Sequence, residues 1–164
     1  GREELCMTVK EVIDQIHDNE LYFDIHEAKG HAIKEHAISR EALIPKILSM
    51  HRPAPGNIKM ATRFLSKENA LYWIRRTVAE NYQEIKNWIK QDVEAYIKLS
   101  ISSELITGEG IAFHTDWKNI FSVHSVVVVL HRDHNNLFYV KTAYPVAGFD
   151  DVDDILDAME EYDS

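Results

Sequence analysis

The sequence has a single cysteine, Cys6. It permits no internal disulfide, so the fold must stand on packing alone. No helix terminus or cationic partner is evident for it, and it reads as an incidental or buried thiol rather than a nucleophile. No apolar run approaches the roughly 18 residues that a membrane span requires, so no membrane anchoring by this segment is expected. The N-terminal Gly1-Arg2-Glu3-Glu4-Leu5-Cys6 is not expected to be a signal peptide; it reads as cut from a longer polypeptide or as a tag scar. Glycine is sparse, and Gly108 and Gly110 alone make no phosphate-cradling loop. No Gly-x-Ser-x-Gly elbow is present. Internal repeats are also missing.

Positive charge is scarce. The formal net charge is −9, which argues against indiscriminate nucleic-acid binding. The deficit is local, however. Asp150, Asp151, Asp153, Asp154, Asp157, Glu160, Glu161 and Asp163 crowd residues 150–164, where there is no Lys or Arg. Those eight carboxylates account for all but one of the net negative charges, so the body is near neutral and has room for a cationic cleft.

A chain of 164 residues fits one domain with an appendage. We place a single domain over 1–149 and an acidic amphipathic helix or tail over 150–164. Val9, Val12, Ile13 and Ile16 predict a helix over 8–18 with Thr8 as its N-cap. Residues 21–27 fit strand or helix. A short helix is predicted over about 31–37, and Ser39 is expected to cap another over 40–50. Pro45 there implies a kink or a later start. His51 to Asn57, with two prolines and a glycine, is a loop. Residues 60–65 read as a short strand. Ser66 then opens the strongest helical pattern, Leu71, Ile74, Val78, Tyr82, Ile85, Trp88 and Ile89, with a break expected near Glu80-Asn81. After Gln91 the period shifts toward two, and strands are predicted over 96–101, 110–114, 124–130 and 137–144. The valine run reads as a buried central strand. Helices followed by an antiparallel sheet predict an α+β fold. Val152, Ile155, Leu156 and Met159 predict an amphipathic helix over 151–162 that docks on the body or faces a partner.

Nine histidines invite a metal reading. Zinc sites on helices favour His at i and i+4. His26, His31 and His36 are spaced by five, which turns each roughly 140° from the last on a helix. His131 and His134 flank a turn, and no cysteine supports them. We therefore expect no metal and no cofactor. What remains is acid–base chemistry on histidine. An imidazole that titrates near neutrality suits a reaction that removes and returns protons, and RNA transesterification is one. His36 can serve as its base or its acid. Thr142 and Tyr144, two apart on a strand, direct their hydroxyls to one face. Taken alone, two same-face hydroxyls are an ordinary strand surface.

Gly30 to His36, Thr62 to Ala70, Asn81 to Ile85 with Trp88-Ile89, Val126 to Leu130, and Lys141 to Pro145 together resemble, in order, the bacterial RNase A-like toxin domain. That domain sits at the C-terminal end of contact-dependent growth inhibition (CdiA) and other polymorphic toxin proteins. The resemblance implies an RNase A-like, kidney-shaped α+β fold without disulfides. It implies metal-independent cleavage of RNA through a 2′,3′-cyclic phosphate, with tRNA one candidate substrate. It also implies a cognate immunity protein, secretion or cell-surface delivery within a larger toxin, and action in the target-cell cytoplasm. The family's catalytic histidine falls on His36 and its Thr-x-Tyr pair on Thr142 and Tyr144. The family's catalytic arginine has no direct match. Lys46 is the nearest basic residue and the expected catalytic cation, with Arg40 and Arg63 as alternatives and as substrate-binding candidates. Lysine is a point charge and cannot grip phosphate with two parallel bonds as arginine does. His31 is a candidate for substrate contact or for orienting its loop. Tyr144, with an ordinary pKa of about 10, is a hydrogen-bond donor rather than a base. His114, His124 and His131 are unassigned candidates for a second acid–base group. Two other readings share these features: a toxin nuclease of barnase/EndoU/RelE-like fold, and a non-enzymatic protein-interaction module docking through its acidic helix.

Overall fold

The computed structural model describes residue 11 and residues 32–91, 93–132 and 138–163. The predicted helix over 8–18 (residue 11 apart), the segment 21–27, Cys6, His26, His31 and His134 lie outside the described residues.

Helix α1 spans Ala32–His36. After a 3-10 turn over Arg40–Ala42, α2 runs Leu43–Leu48. Pro45 is the third residue of α2. In that first turn the backbone N–H groups have no acceptor within the helix, so the helix starts late and proline costs it nothing there. Ser39 precedes the 3-10 turn but makes no side-chain capping bond, contrary to the expected cap. In the loop that follows, Asn57 N donates to Ala54 O, and Gly56 takes the left-handed φ of 90° that this turn needs. Strand β1, Met60–Arg63, leads to α3, Lys67–Glu80. Ser66 Oγ caps α3 by accepting from Asn69 N at 3.0 Å. Asn81 ends it as predicted, and α4 follows over Tyr82–Gln91.

The second half of the chain supplies β2 (Tyr96–Ser102), β3 (Gly108–Ala112), β4 (Phe121–Val123), β5 (Ser125–Arg132) and β6 (Phe138–Val146). A 3-10 turn over Phe149–Asp151 then opens α5, Val152–Asp163. All pairing among the described residues is antiparallel, and the fold is α+β as predicted. In place of one sheet there are two among the described residues, with strand orders β1-β3-β4 and β2-β5-β6. β4 was not predicted. The predicted strand over 110–114 begins earlier, and His114 lies beyond it with a φ of 63°.

The β2-β5-β6 sheet buries one face against α3 and α4. Leu99, Val126, Val128, Leu130, Phe138, Val140 and Ala143 meet Leu71, Trp73, Ile74, Val78, Ile85 and Trp88 there. Each Val, Leu, Ile or Phe side chain among them contributes about 1.5–3 kcal/mol when fully buried. The β1-β3-β4 sheet is covered on both sides. Leu43 and Ile47 of α2 pack on Ala61 and Ile111, and Ile155 and Met159 of α5 pack on Ala112, with Met60 and Phe121 alongside. The acidic helix therefore docks on the body.

Two details set the cleft. Gly108 in β3 has no room for a Cβ, which would meet the Arg63 carbonyl and the Pro145 ring. This close approach draws β1, β3 and β6 together. In β6, Thr142 pairs with Val129 but Val140 pairs with Leu130, so Lys141 is an extra, bulged residue. The bulge keeps Phe138 and Val140 in the core while Thr142 and Tyr144 occupy the opposite face.

Candidate active site

His36 ends α1, where its carbonyl accepts from Phe64 N at 2.7 Å and so fixes the helix end to the exit of β1. Lys46, ten residues later on α2, brings its Nζ to 3.1 Å from His36 Nδ1. The same ammonium donates to Thr62 O at 2.9 Å and to Glu35 O at 3.3 Å. Burial lowers the Lys46 pKa from 10.5 to about 8, against a smaller opposing pull from the Glu35 carboxylate. The ring of Tyr144 lies 5.5 Å from that of His36, centroid to centroid, at 43°. Thr142, half-buried, stands on the same face of β6 as Tyr144. His36, Lys46 and Tyr144 thus meet where α1, α2 and β6 converge, and Thr142 adjoins them along the strand.

Arg40 and Arg63 are held differently. Both bind Glu109, the second residue of β3, which is 6% exposed. Arg63 Nη1 donates to Glu109 Oε1 at 2.9 Å, its Nε to Ile38 O at 2.7 Å and its Nη2 to Leu65 O at 3.1 Å. Every nitrogen of that guanidinium has a protein acceptor. Arg40 Nη2 lies 2.9 Å from Glu109 Oε2, but its side chain is 59% exposed. His31 lies outside the described residues.

Sequence reasoning missed Glu109 and Thr62. A lone carboxylate between two glycines in an apolar segment is a signal in principle, because a buried acid requires cations. Thr62 gives no such signal. Its hydroxyl donates to Pro145 O at 2.7 Å while its carbonyl accepts from Lys46, so it links both halves of the site.

The unassigned histidines are engaged elsewhere. His114 Nε2 lies 2.9 Å from Pro53 O and its Nδ1 3.3 Å from Arg52, which ties the 51–57 loop to the end of β3. His124 Nδ1 meets the buried Asp151 carboxylate at 2.6 Å and latches the start of α5. His131 stands between the rings of Tyr96 and Tyr139 at 5.9 and 5.7 Å. Burial, then the charge of Lys141, hold it below the ordinary histidine pKa. Among the described residues, no three His, Cys, Asp or Glu side chains cluster as metal ligands would.

The family described as "Bacterial CdiA-CT RNAse A domain" matches residues 30–145. Among solved structures, the chain is similar to one described as "CdiA-CT/CdiI complex from Y. kristensenii 33638". The identity is 20% and the TM-score 0.58, over 71% of this chain and 99% of that one. No curated protein matches the chain at a significant level.

Proposed function

This chain belongs to the bacterial CdiA-CT RNase A domain family, and from that premise we propose that it is a toxin ribonuclease cutting RNA without a metal. In this reading the RNA 2′-oxygen attacks the adjacent phosphorus, the bond to the 5′-oxygen breaks, and a 2′,3′-cyclic phosphate remains. His36 carries the acid–base work. Lys46 supplies positive charge beside it, and the Thr142 and Tyr144 hydroxyls donate to the phosphate as charge builds on its oxygens. Arg63 supports the cleft from behind through Glu109. Arg40, exposed on the same carboxylate, serves as a substrate contact, and His31 is a second one.

The observation that carries this reading is the meeting of His36, Lys46 and Tyr144 in a chain whose family is that of RNase A-type toxins. The structural relative is described as a complex with CdiI, which supports a cognate immunity protein as this chain's partner. Delivery as the C-terminal part of a larger protein and action in the target-cell cytoplasm belong to the same proposal, which the family supports. The test is digestion of total RNA, tRNA included, with and without EDTA, followed by analysis of the new ends. Cleavage that survives EDTA and leaves cyclic phosphate is expected. Loss of cleavage in EDTA would overturn the metal-free mechanism.

A further inference from the structure

We propose that Lys46 serves His36 rather than the phosphate: its ammonium fixes the imidazole as the Nε2–H tautomer and supplies a proton at Nδ1, making His36 the general acid. This rests on the ribonuclease reading above and assigns the acid–base role of the same site.

An ammonium has three N–H donors and no acceptor. Lys46 Nζ has three neighbours at hydrogen-bonding distance, Thr62 O, Glu35 O and His36 Nδ1. The two carbonyls can only accept. While Lys46 is charged its nitrogen has no lone pair to offer, so Nδ1 must accept as well. A neutral imidazole that accepts at Nδ1 carries its proton on Nε2. An imidazolium would instead oppose two donors and two like charges at 3.1 Å. His36 therefore has a proton to give at Nε2 rather than a lone pair with which to take one.

Giving that proton away requires a replacement. As the bond from phosphorus to the 5′-oxygen breaks, its electron pair stays on that oxygen, which takes the Nε2 proton. Nδ1 takes a proton from Lys46, leaving a neutral amine and a neutral imidazole. The 2′-hydroxyl proton passes to water; water later returns one to His36 Nε2 as Nδ1 hands its proton back to Lys46, which restores the Nε2–H imidazole and the ammonium. The partial burial of Lys46, which lowers its pKa to about 8, suits both ends of this transfer. The ammonium predominates at neutral pH yet releases its proton more readily than an exposed lysine. The residue type fits too: an arginine at this position would hold the tautomer but could not release a proton.

The experiment uses the full chain, 15N-labelled, with long-range 1H–15N spectra of the histidine rings and RNA cleavage rates measured in parallel. The unmodified chain at pH 7 is expected to show His36 with Nε2 protonated and Nδ1 bare. The Nδ1–H form should emerge as pH rises through about 8 and the Lys46 nitrogen gains a lone pair. Lys46→Met should release the tautomer preference. Lys46→Arg should keep the Nε2–H form but cleave RNA about 10²-fold more slowly, the lower end for a lost proton transfer. An Nδ1–H tautomer at pH 7, an unchanged tautomer in Lys46→Met, or a wild-type cleavage rate in Lys46→Arg would each overturn the proposal. Should Lys46→Met not fold, the pH series and Lys46→Arg still decide it. If the unmodified chain cuts no RNA, the ribonuclease reading and the proton-supply step both fall. The spectra then decide the Lys46–His36 pairing by themselves.

Discussion

The Thr62 hydroxyl donates to the Pro145 carbonyl at 2.7 Å, a buried bond between the second residue before Phe64 and the residue after Tyr144. It sets the distance between β1, whose carbonyl holds Lys46, and β6, which carries Tyr144. Thr62→Val keeps the shape and removes the donor. The Pro145 carbonyl is then buried without its partner, at a cost of about 1–3 kcal/mol. Urea denaturation should show that loss. RNA cleavage should fall as well under conditions where the variant is fully folded, because the spacing between Lys46 and Tyr144 is no longer pinned.

Glu109 shares one negative charge between two arginines from inside the fold. Glu109→Gln leaves the partly buried Arg63 without its counter-charge and should cost about 3 kcal/mol, the lower end for breaking a buried pair. Arg40→Gln, on the exposed arm, should leave stability nearly unchanged, because solvent screens that pair. Its effect should appear instead as a raised KM for RNA at low salt with kcat preserved. An unchanged KM would remove Arg40 from the substrate contacts.

His36→Ala should lower cleavage by roughly 10²–10⁴-fold, the range for a lost acid or base. Its melting temperature should stay close to that of the unmodified chain, because the bond from Phe64 N reaches the His36 backbone and survives the change. Activity persisting at the wild-type rate would place the acid–base group elsewhere.

Lys46 makes stability depend on alkaline pH. Its folded-state pKa lies near 8, below its ordinary 10.5. Below pH 8 both states hold the proton, and the folded state alone carries the cost of a partly buried charge. Between about 8 and 10.5 the folded chain sheds the proton first, the unfolded chain binds more, and stability rises with pH. Residual solvation keeps the gain below what the full pKa difference would give. Melting curves of the unmodified chain and Lys46→Met from pH 7 to 10 isolate this contribution. The unmodified chain should gain on the variant as pH rises.

The acidic helix is anchored by Ile155 and Met159, both buried. Ile155→Ala should cost about 2–4 kcal/mol, so deleting residues 150–164 would damage the β1-β3-β4 sheet along with its charge. Changing exposed Asp153, Asp154, Asp157 and Glu160 to their amides separates the two effects. If the helix's field reaches the cleft, RNA binding should tighten at low salt and the difference should fade as salt screens it.

Much of this architecture was legible in the sequence because it is local. The three-and-four spacing from Leu71 to Ile89 fixed α3 and α4, and Asn81 marked their junction. Pro45 signalled the late start of α2. The valine run named the central strand. Phe121-Ser122-Val123 is too short to show alternation, so β4 was invisible. The split into two sheets depends on which strands meet, and no local pattern encodes that. Glu109 was hidden for the same reason: its partners lie 69 and 46 residues away in sequence. The choice of His36 over the other histidines came from the family resemblance. Spacing by itself did not single it out, and the contact with Lys46 needs the folded chain to be seen.

The bulge at Lys141 makes the last strand unequally tolerant of changes in length. Removing Lys141 closes the irregularity and leaves the residues on either side facing as they do now. Removing Ala143 instead, with Tyr144 kept opposite Val127, would bring Thr142 opposite Val128 and turn its hydroxyl into the hydrocarbon beneath α3. Homologues that differ by a residue in this strand should therefore carry the difference at position 141, where the chain already holds a spare.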